Sequence, residues 1–118
     1  MLKLREGVKI HVGLEAVDMR KSIDGLSALV VDEFSIKPTC GHIFLFFNKA
    51  KDKVKILFWD RNGFALYYKR LEKHRFCVPK DLDESRIEIT EAQLFGLLAG
   101  LDFMLMGEFS EINYSNFY

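Results

Sequence analysis

Basic and aromatic side chains alternate in residues 53–76, a mixture suited to binding phosphates and nucleobases. The stretch reads KVKILFWDRNGFALYYKRLEKHRF. Lysine and arginine neutralise backbone phosphates, and exposed aromatic rings stack on bases. The predicted contact set consists of residues from this stretch and two from the start of the first helix: Arg20, Lys21, Lys53, Lys55, Trp59, Arg61, Tyr67, Lys69, Arg70, Lys73 and Arg75.

Charge is distributed unevenly along the chain although its net value is zero. Residues 49–80 carry ten basic side chains against three acidic ones, whereas residues 81–118 carry one against eight. A local surplus of cations is typical of an anion-binding surface. The sequence leaves open the alternative that the acidic segment packs against the basic one and neutralises it.

Patterns for catalysis or metal binding are weak. Cys40 and His42, together with His74 and Cys77, could supply four zinc ligands, but only the second pair has an ordinary ligand spacing. The chain has no glycine-rich phosphate loop and no nucleophile elbow, and Asp18 reads better as a helix cap than as a metal ligand. We therefore predict a protein that is not an enzyme and that holds no metal and no cofactor.

Length and composition favour one soluble domain. The chain has 118 residues, of which 49% are hydrophobic, enough for a single core. Its two cysteines show no disulfide-framework spacing, which fits a reducing compartment. The sequence shows no signal-peptide pattern and no apolar run long enough to span a bilayer. We predict a bacterial cytoplasmic domain over residues 1–106, followed by a loosely ordered tail at 107–118.

Hydrophobic periodicity predicts an α+β fold, with a mostly antiparallel sheet of about five to six strands packed with two helices. Asp18 is expected to cap the first helix, whose apolar face ends at Phe34. Thr90 begins the second helix with a capping box in which Gln93 reaches back. The expected strands lie at 8–17, 42–47, 54–59, 64–71, 75–78 and 86–89.

The turn between the third and fourth of these strands decides which side chains share a face. We expect a three-residue loop at 61–63, with Gly63 in the left-handed conformation, which pairs Asp60 with Phe64. A two-residue Asn-Gly turn would place Lys69 among core residues, where an unpaired ammonium is costly.

The expected register makes one face of the hairpin apolar and the other mixed. The mixed face consists of Lys53, Lys55, Leu57, Trp59, Ala65, Tyr67, Lys69 and Leu71. One interpretation is a nucleic-acid platform, in which rings stack on bases between phosphate-binding cations. The other is that a helix covers Trp59 and Leu57 while the lysine stems lie along its margin.

Three segments carry a resemblance to a known family: DMRKSIDGLSALV at 18–30, the stretch at 41–76, and ITEAQLFGLLAGLDF at 89–103. Within the second, KILFWD, NGF and YKRLE follow each other ahead of RF. Together they resemble the small TnpB-type, or Orf-two, protein of the insertion-sequence family numbered sixty-six, which is distinct from the RNA-guided nuclease of the same name. Ser22 and Ile23 stand where that family usually has glycine and an aromatic residue, and His74 stands where glycine is common.

The resemblance implies an accessory protein for DNA transposition and recombination, encoded beside a separate and larger transposase that cuts the strands. No catalytic residue is implied. The leading hypothesis is therefore that the contact set binds element DNA. A competing hypothesis is a protein-interaction adaptor that binds the transposase or a second accessory protein through Trp59, Tyr67 and Leu57, because aromatic residues dominate such interfaces. The sequence leaves the oligomeric state open.

Overall fold

One sheet with a helix against each face makes up the computed structural model, which describes residues 4–79 and 83–100. The strands are β1 Ile10–Gly13, β2 Ile43–Phe47, β3 Lys53–Asp60, β4 Gly63–Arg70 and β5 Arg86–Ile89. The helices are α1 Ile23–Phe34 and α2 Glu91–Leu98. Within these ranges no helix is long and apolar enough to cross a membrane.

The strand order is β4-β3-β2-β1-β5, and only β1 and β2 are parallel. Helix α1 connects these two central strands. Every residue of β1 and β2 is buried, as expected for strands covered on both faces. The predicted α+β class with a mostly antiparallel sheet is confirmed.

Side-chain alternation divides the interior into two cores, one on each face of the sheet. On one face, Leu26, Val30 and Phe34 of α1 pack with Phe44, Phe46 and Leu57. On the other, the buried leucines of α2 pack with Ile10, Val12, Ile43, Leu45, Phe47, Val54 and Ile56. The predicted apolar face of the first helix, ending at Phe34, is confirmed.

The two helix starts differ in how well the sequence predicted them. The capping box of α2 is confirmed, because Thr90 Oγ1 accepts from the Gln93 N–H and Gln93 Oε1 accepts from the Thr90 N–H. The Asp18 cap is wrong, because α1 begins at Ile23 behind Ser22. The Asp18 carboxylate instead accepts from the backbone N–H and the guanidinium of Arg20, at 2.6–3.1 Å. This local pair competes with the capping role.

The register predicted for the β3–β4 hairpin is wrong by one residue. Asp60 pairs with Gly63, so Arg61 and Asn62 alone form the turn. Arg61, not Gly63, adopts the left-handed conformation, with φ 56°, and the Asn62 N–H donates to the Asp60 carbonyl at 2.6 Å. The three-residue loop was predicted because it makes one face of the hairpin uniformly apolar. Helices cover both faces of the sheet, so neither face of the hairpin has to be uniformly apolar, and that reason does not hold.

The predicted strand at 75–78 is also wrong. The Phe76 N–H donates to the Lys51 carbonyl at 2.7 Å, but the Val78 N–H turns back to the Phe76 carbonyl at 3.1 Å. The segment is therefore anchored at one point, where the buried Phe76 ring meets Phe47 edge-on at 5.4 Å. The predicted domain end at 106 and tail at 107–118 lie outside the described residues.

His74 provides a test of backbone strain in the loop that follows β4. It is exposed and holds a left-handed φ of 66°, a conformation that glycine adopts without steric cost. We expect His74→Gly to raise the free energy of unfolding, measured by urea denaturation, by about 0.5–1 kcal/mol.

Lys73→Gly is the matched control, because Lys73 is equally exposed but has no positive φ. That substitution only increases the freedom of the unfolded chain, so it should lower the free energy of unfolding. Equal effects of the two glycines would show that no strain resides at His74.

Candidate nucleic-acid interface

Most predicted contact residues gather at one end of the sheet, which we call the basic end. It comprises loop 14–22, turn 48–52, Lys53, Arg70 and loop 71–77. Backbone hydrogen bonds hold these segments together: Val17 N–H to Phe47 carbonyl at 2.9 Å, Leu71 N–H to Asp52 carbonyl at 2.7 Å, and Phe76 N–H to Lys51 carbonyl at 2.7 Å. The cations brought together here are Arg20, Lys21, Lys49, Lys51, Lys53, Arg70, Lys73 and Arg75.

The predicted set omitted Lys49 and Lys51, which lie in the turn between β2 and β3. The signal was present in the run NKAKDK at 48–53, whose lysines belong to the basic surplus of residues 49–80. The Asn48 side chain organises this turn, since Oδ1 accepts from the N–H groups of Asp52 and Lys53 at 3.1 and 3.0 Å and Nδ2 donates to the Asp52 carboxylate at 2.6 Å. That bond from Asn48 is the main reason that the pKa of Asp52 is lowered.

Several of these cations have only weak local partners. Lys53 lies 3.4 Å from Asp52, and the Arg70 guanidinium donates to both oxygens of Glu72 at 3.0 and 3.1 Å. The Arg70 pair is exposed, whereas the Lys53 pair is half-buried. An exposed pair contributes about 0–1 kcal/mol, so a phosphate can replace the carboxylate of Glu72. Within residues 4–79 and 83–100, no carboxylate lies within 4.0 Å of the side-chain nitrogens of Lys49, Lys73 or Arg75.

Lys55 and Lys69 bind backbone carbonyls inside the molecule. The Lys55 ammonium donates to the carbonyls of Met19 and Lys21 at 2.7 and 2.8 Å. The Lys69 ammonium donates to the carbonyl of Leu98, the last residue of α2, at 2.9 Å. A cation at a helix C-terminus complements the exposed carbonyls and the helix dipole. Each lysine thus stabilises the approach of one helix to the sheet.

The expected grouping of Lys55, Trp59, Tyr67 and Lys69 on one face is therefore wrong. In the observed register Lys55 pairs with Tyr68 and Lys69 pairs with Val54, so the two lysines lie on opposite faces. Tyr67 packs at the edge of the core beneath α2. The alternative patch of Trp59, Tyr67 and Leu57 is likewise divided, since Leu57 is fully buried beneath α1.

Trp59 and Arg61 lie at the opposite end of the sheet, beside a cleft of about 770 Å³. The cleft is lined by residues 4–8, 40–43 and 58–61. The Trp59 ring is half-buried and meets Phe64 edge-on at 5.0 Å. We call this region the cleft end.

A buried histidine connects β5 to the cleft end. The Arg86 guanidinium lies 3.1 Å from His11 Nδ1, and His11 Nε2 lies 3.1 Å from His42 Nδ1. Because arginine can only donate, Nδ1 of His11 accepts and its Nε2 carries the proton that is donated to His42. With Nδ1 of His42 as the acceptor, its other ring nitrogen, Nε2, is the donor, and His42 lines the cleft. Sequence reasoning missed this network, although a histidine between Ile10 and Val12 was a signal for it.

The residues of the possible zinc site are separated by the fold. Cys40 and His42 lie at the cleft end, whereas His74 and Cys77 follow β4 at the basic end. In the part of the chain that is described, no group of three or more His, Cys, Asp and Glu side chains could hold a metal ion.

Comparison with known proteins gives the family. A family model described as IS66 Orf2 like protein matches residues 8–107. The chain belongs to the IS66 Orf2-like family. Two similar proteins come from Sinorhizobium fredii (strain NBRC 101917 / NGR234). Uncharacterized protein y4jC is 33% identical over 102 residues, or 86% of each chain. Uncharacterized protein y4hO is 30% identical over 102 residues, or 86% of this chain and 88% of the relative.

No solved structure matches the chain. Membership in the IS66 Orf2-like family confirms the resemblance seen in the three sequence segments, and it suggests an accessory role in the transposition of an insertion sequence.

His11 predicts how stability changes with pH. Burial, and then the charge of Arg86, lower its pKa from 6.5 to about 4. Between these values the unfolded chain binds a proton that the folded chain does not, so stability is lost as pH falls from about 6.5 toward 4. We expect urea denaturation to show a loss on the order of 2 kcal/mol between pH 7.5 and 5.

His11→Gln should remove most of that loss, because glutamine can accept from Arg86 and donate to His42 without titrating. Thr90→Ala is the control. It removes a helix cap, which costs about 1 kcal/mol, without changing a titrating group. The explanation is wrong if His11→Gln keeps the full dependence on pH.

Proposed function

We propose that this IS66 Orf2-like protein is a non-catalytic accessory factor in transposition that binds element DNA through its basic end. The observation that carries the proposal is the convergence of separate segments. Loop 14–22, turn 48–53 and residues 70–77 bring eight cations and four carboxylates to one end of the sheet. Residues 83–85, which bond Leu14 at the same end, add Asp83 and Glu84. Such a surface binds nucleic acid by neutralising phosphates and releasing counterions.

The strength of individual contacts should differ within the basic end. Lys49, Lys73 and Arg75 are exposed and have no carboxylate partner in the described ranges, so they can meet a phosphate at little cost. Lys53 and Arg70 must exchange a local carboxylate for a phosphate. Lys55 and Lys69 would have to give up backbone carbonyls in the loop before α1 and at the end of α2, so we assign them a structural role.

A salt series tests the proposal directly. Affinity for labelled duplexes of the element ends should fall with salt concentration, with a log–log slope of about −0.9 for each neutralised phosphate. Lys73→Gln should weaken binding and make the slope less steep by about 0.9. Arg75→Gln should do the same.

Lys69→Gln is the matched control, since it removes the same charge four residues before Lys73, from a side chain that bonds the carbonyl of Leu98. It should lower the stability of the protein and leave the salt slope unchanged. The proposal fails if the protein binds neither element ends nor random duplex at low salt, or if Lys69→Gln changes the slope as much as Lys73→Gln.

A second candidate function is an adaptor that binds the transposase, or another accessory protein, at the cleft end. The cleft supports it, because its volume of about 770 Å³ lies within the range of ligand sites. Trp59 and Arg61, both among its lining residues, are of the types that dominate protein interfaces. The Nε2–H of His42 adds a polar donor.

Co-purification with the transposase tests the adaptor. Trp59→Ala should abolish it while circular dichroism shows that the fold is kept, and Lys73→Gln, at the opposite end of the sheet, should retain it. An undiminished yield of transposase with folded Trp59→Ala would exclude the cleft as the binding surface.

A further inference from the structure

The two edges of the sheet are protected very differently. Strand β5 is four residues long and carries Arg86 and Glu88. Strand β4 is eight residues long, contains no proline, and pairs with β3 in one unbroken register without a bulge. Natural proteins usually protect long edges with charge, proline or bulges, because an open edge recruits another strand. Strand β4 has neither a proline nor a bulge.

The backbone groups that β4 presents outward follow from its turn. Because a two-residue turn makes Asp60 and Gly63 a hydrogen-bonded pair, alternate residues of β4 point their N–H and C=O groups toward β3. The bond from the Asn48 N–H to the Lys53 carbonyl, at 3.3 Å, fixes the same alternation on the other side of β3. The outward groups therefore belong to Phe64, Leu66, Tyr68 and Arg70.

The two cations of β4 do not prevent another strand from pairing with this edge. Lys69 donates to the Leu98 carbonyl at 2.9 Å, and the Arg70 guanidinium is paired with both oxygens of Glu72. The ammonium of Lys69 is thus directed to the end of α2, and the guanidinium of Arg70 is paired beyond the last residue of β4. The middle of the strand, from Phe64 to Tyr68, is uncharged.

Tyr68 adds an exposed ring to this edge, along which no other strand of the described residues pairs. It is 48% exposed, and among the described residues it is one of two exposed large hydrophobic side chains, the other being Val31 of α1 at 50%. The Lys55 ammonium lies 5.7 Å from the centre of the ring and holds one side of it. A ring that is fixed on one side and exposed on the other is suited to a contact with a second strand.

We infer that β4 pairs antiparallel with β4 of a second copy of this chain, so that two sheets become one. The register that uses all four outward-facing residues places Tyr67 opposite its counterpart and Tyr68 opposite Leu66, with about eight backbone hydrogen bonds. The uncharged middle of the strand meets itself, and the two Arg70 side chains lie at opposite ends, far apart. An acidic partner strand would gain little, because the five residues from Phe64 to Tyr68 carry no charge.

Sedimentation equilibrium over a range of protein concentrations tests this pairing. The wild-type chain should fit a reversible dimer, and Tyr68→Pro should be a monomer. Proline at this outward position removes both the exposed ring and the N–H that would bond the second copy. It leaves the hydrogen bonds between β4 and β3 intact. Tyr68→Lys is the second variant, should proline impair folding, and we expect it to weaken the dimer at least roughly tenfold, because its charge would then be buried against the second copy.

Val31→Lys is the control, since it removes the other exposed apolar side chain and leaves β4 unchanged; it should remain a dimer. Hydrogen exchange should show the amides of residues 64, 66, 68 and 70 protected in the dimer and fast in the monomer. The inference is overturned if the wild type is a monomer at every concentration, or if both Tyr68 variants remain dimers. It is also overturned if Val31→Lys is a monomer while the Tyr68 variants are dimers. Protection of these amides in a monomer would also overturn it, because the chain itself would then cover the edge.

Discussion

The hydrogen-bonded pair of Asp60 and Gly63 closes the β3–β4 hairpin, and the rest of the structure depends on it. It directs Tyr67 and Lys69 toward α2, and Phe64 and Leu66 toward α1. A shift of one residue would exchange these two sets. Lys69 would then lose the Leu98 carbonyl that it binds, and both helices would lose part of the surface on which they pack.

The sequence predicted the elements well where periodicity was strong. Leu26, Val30 and Phe34 face the sheet as their spacing indicates, and Thr90 forms its capping box. The hairpin register could not be predicted in this way, because its strands carry apolar residues on both faces. The free-energy cost of burying an unpaired ammonium argued against placing Lys69 beside the core. In the structure its stem does lie beside the core, and its ammonium bonds the carbonyl of Leu98, 29 residues away. No local pattern reveals such a partner.

The sequence predicted that the candidate site has a surplus of basic residues, but it did not predict where in the fold those residues meet. Its assembly depends on backbone contacts between distant segments, such as Leu71 with Asp52 and Phe76 with Lys51. The segment at 75–78 alternates like a strand, but it has a single anchoring bond and so forms a loop. This loop carries Arg75 beside the lysines of turn 48–52. The hydrophobic pattern of the hairpin also did not reveal that Trp59 and Arg61 lie at the other end of the sheet, away from the remaining cations of the predicted contact set.

The sheet thus separates two kinds of surface: a basic end suited to phosphates, and a cleft end with an aromatic wall. Mapping amide chemical shifts by NMR, while duplex DNA of the element ends is added, tests this division most directly. The account predicts shifts that follow DNA concentration at Lys49, Lys51, Lys73 and Arg75, with Trp59 and Arg61 unchanged. Shifts confined to Trp59, Arg61 and the rest of the cleft end would contradict it.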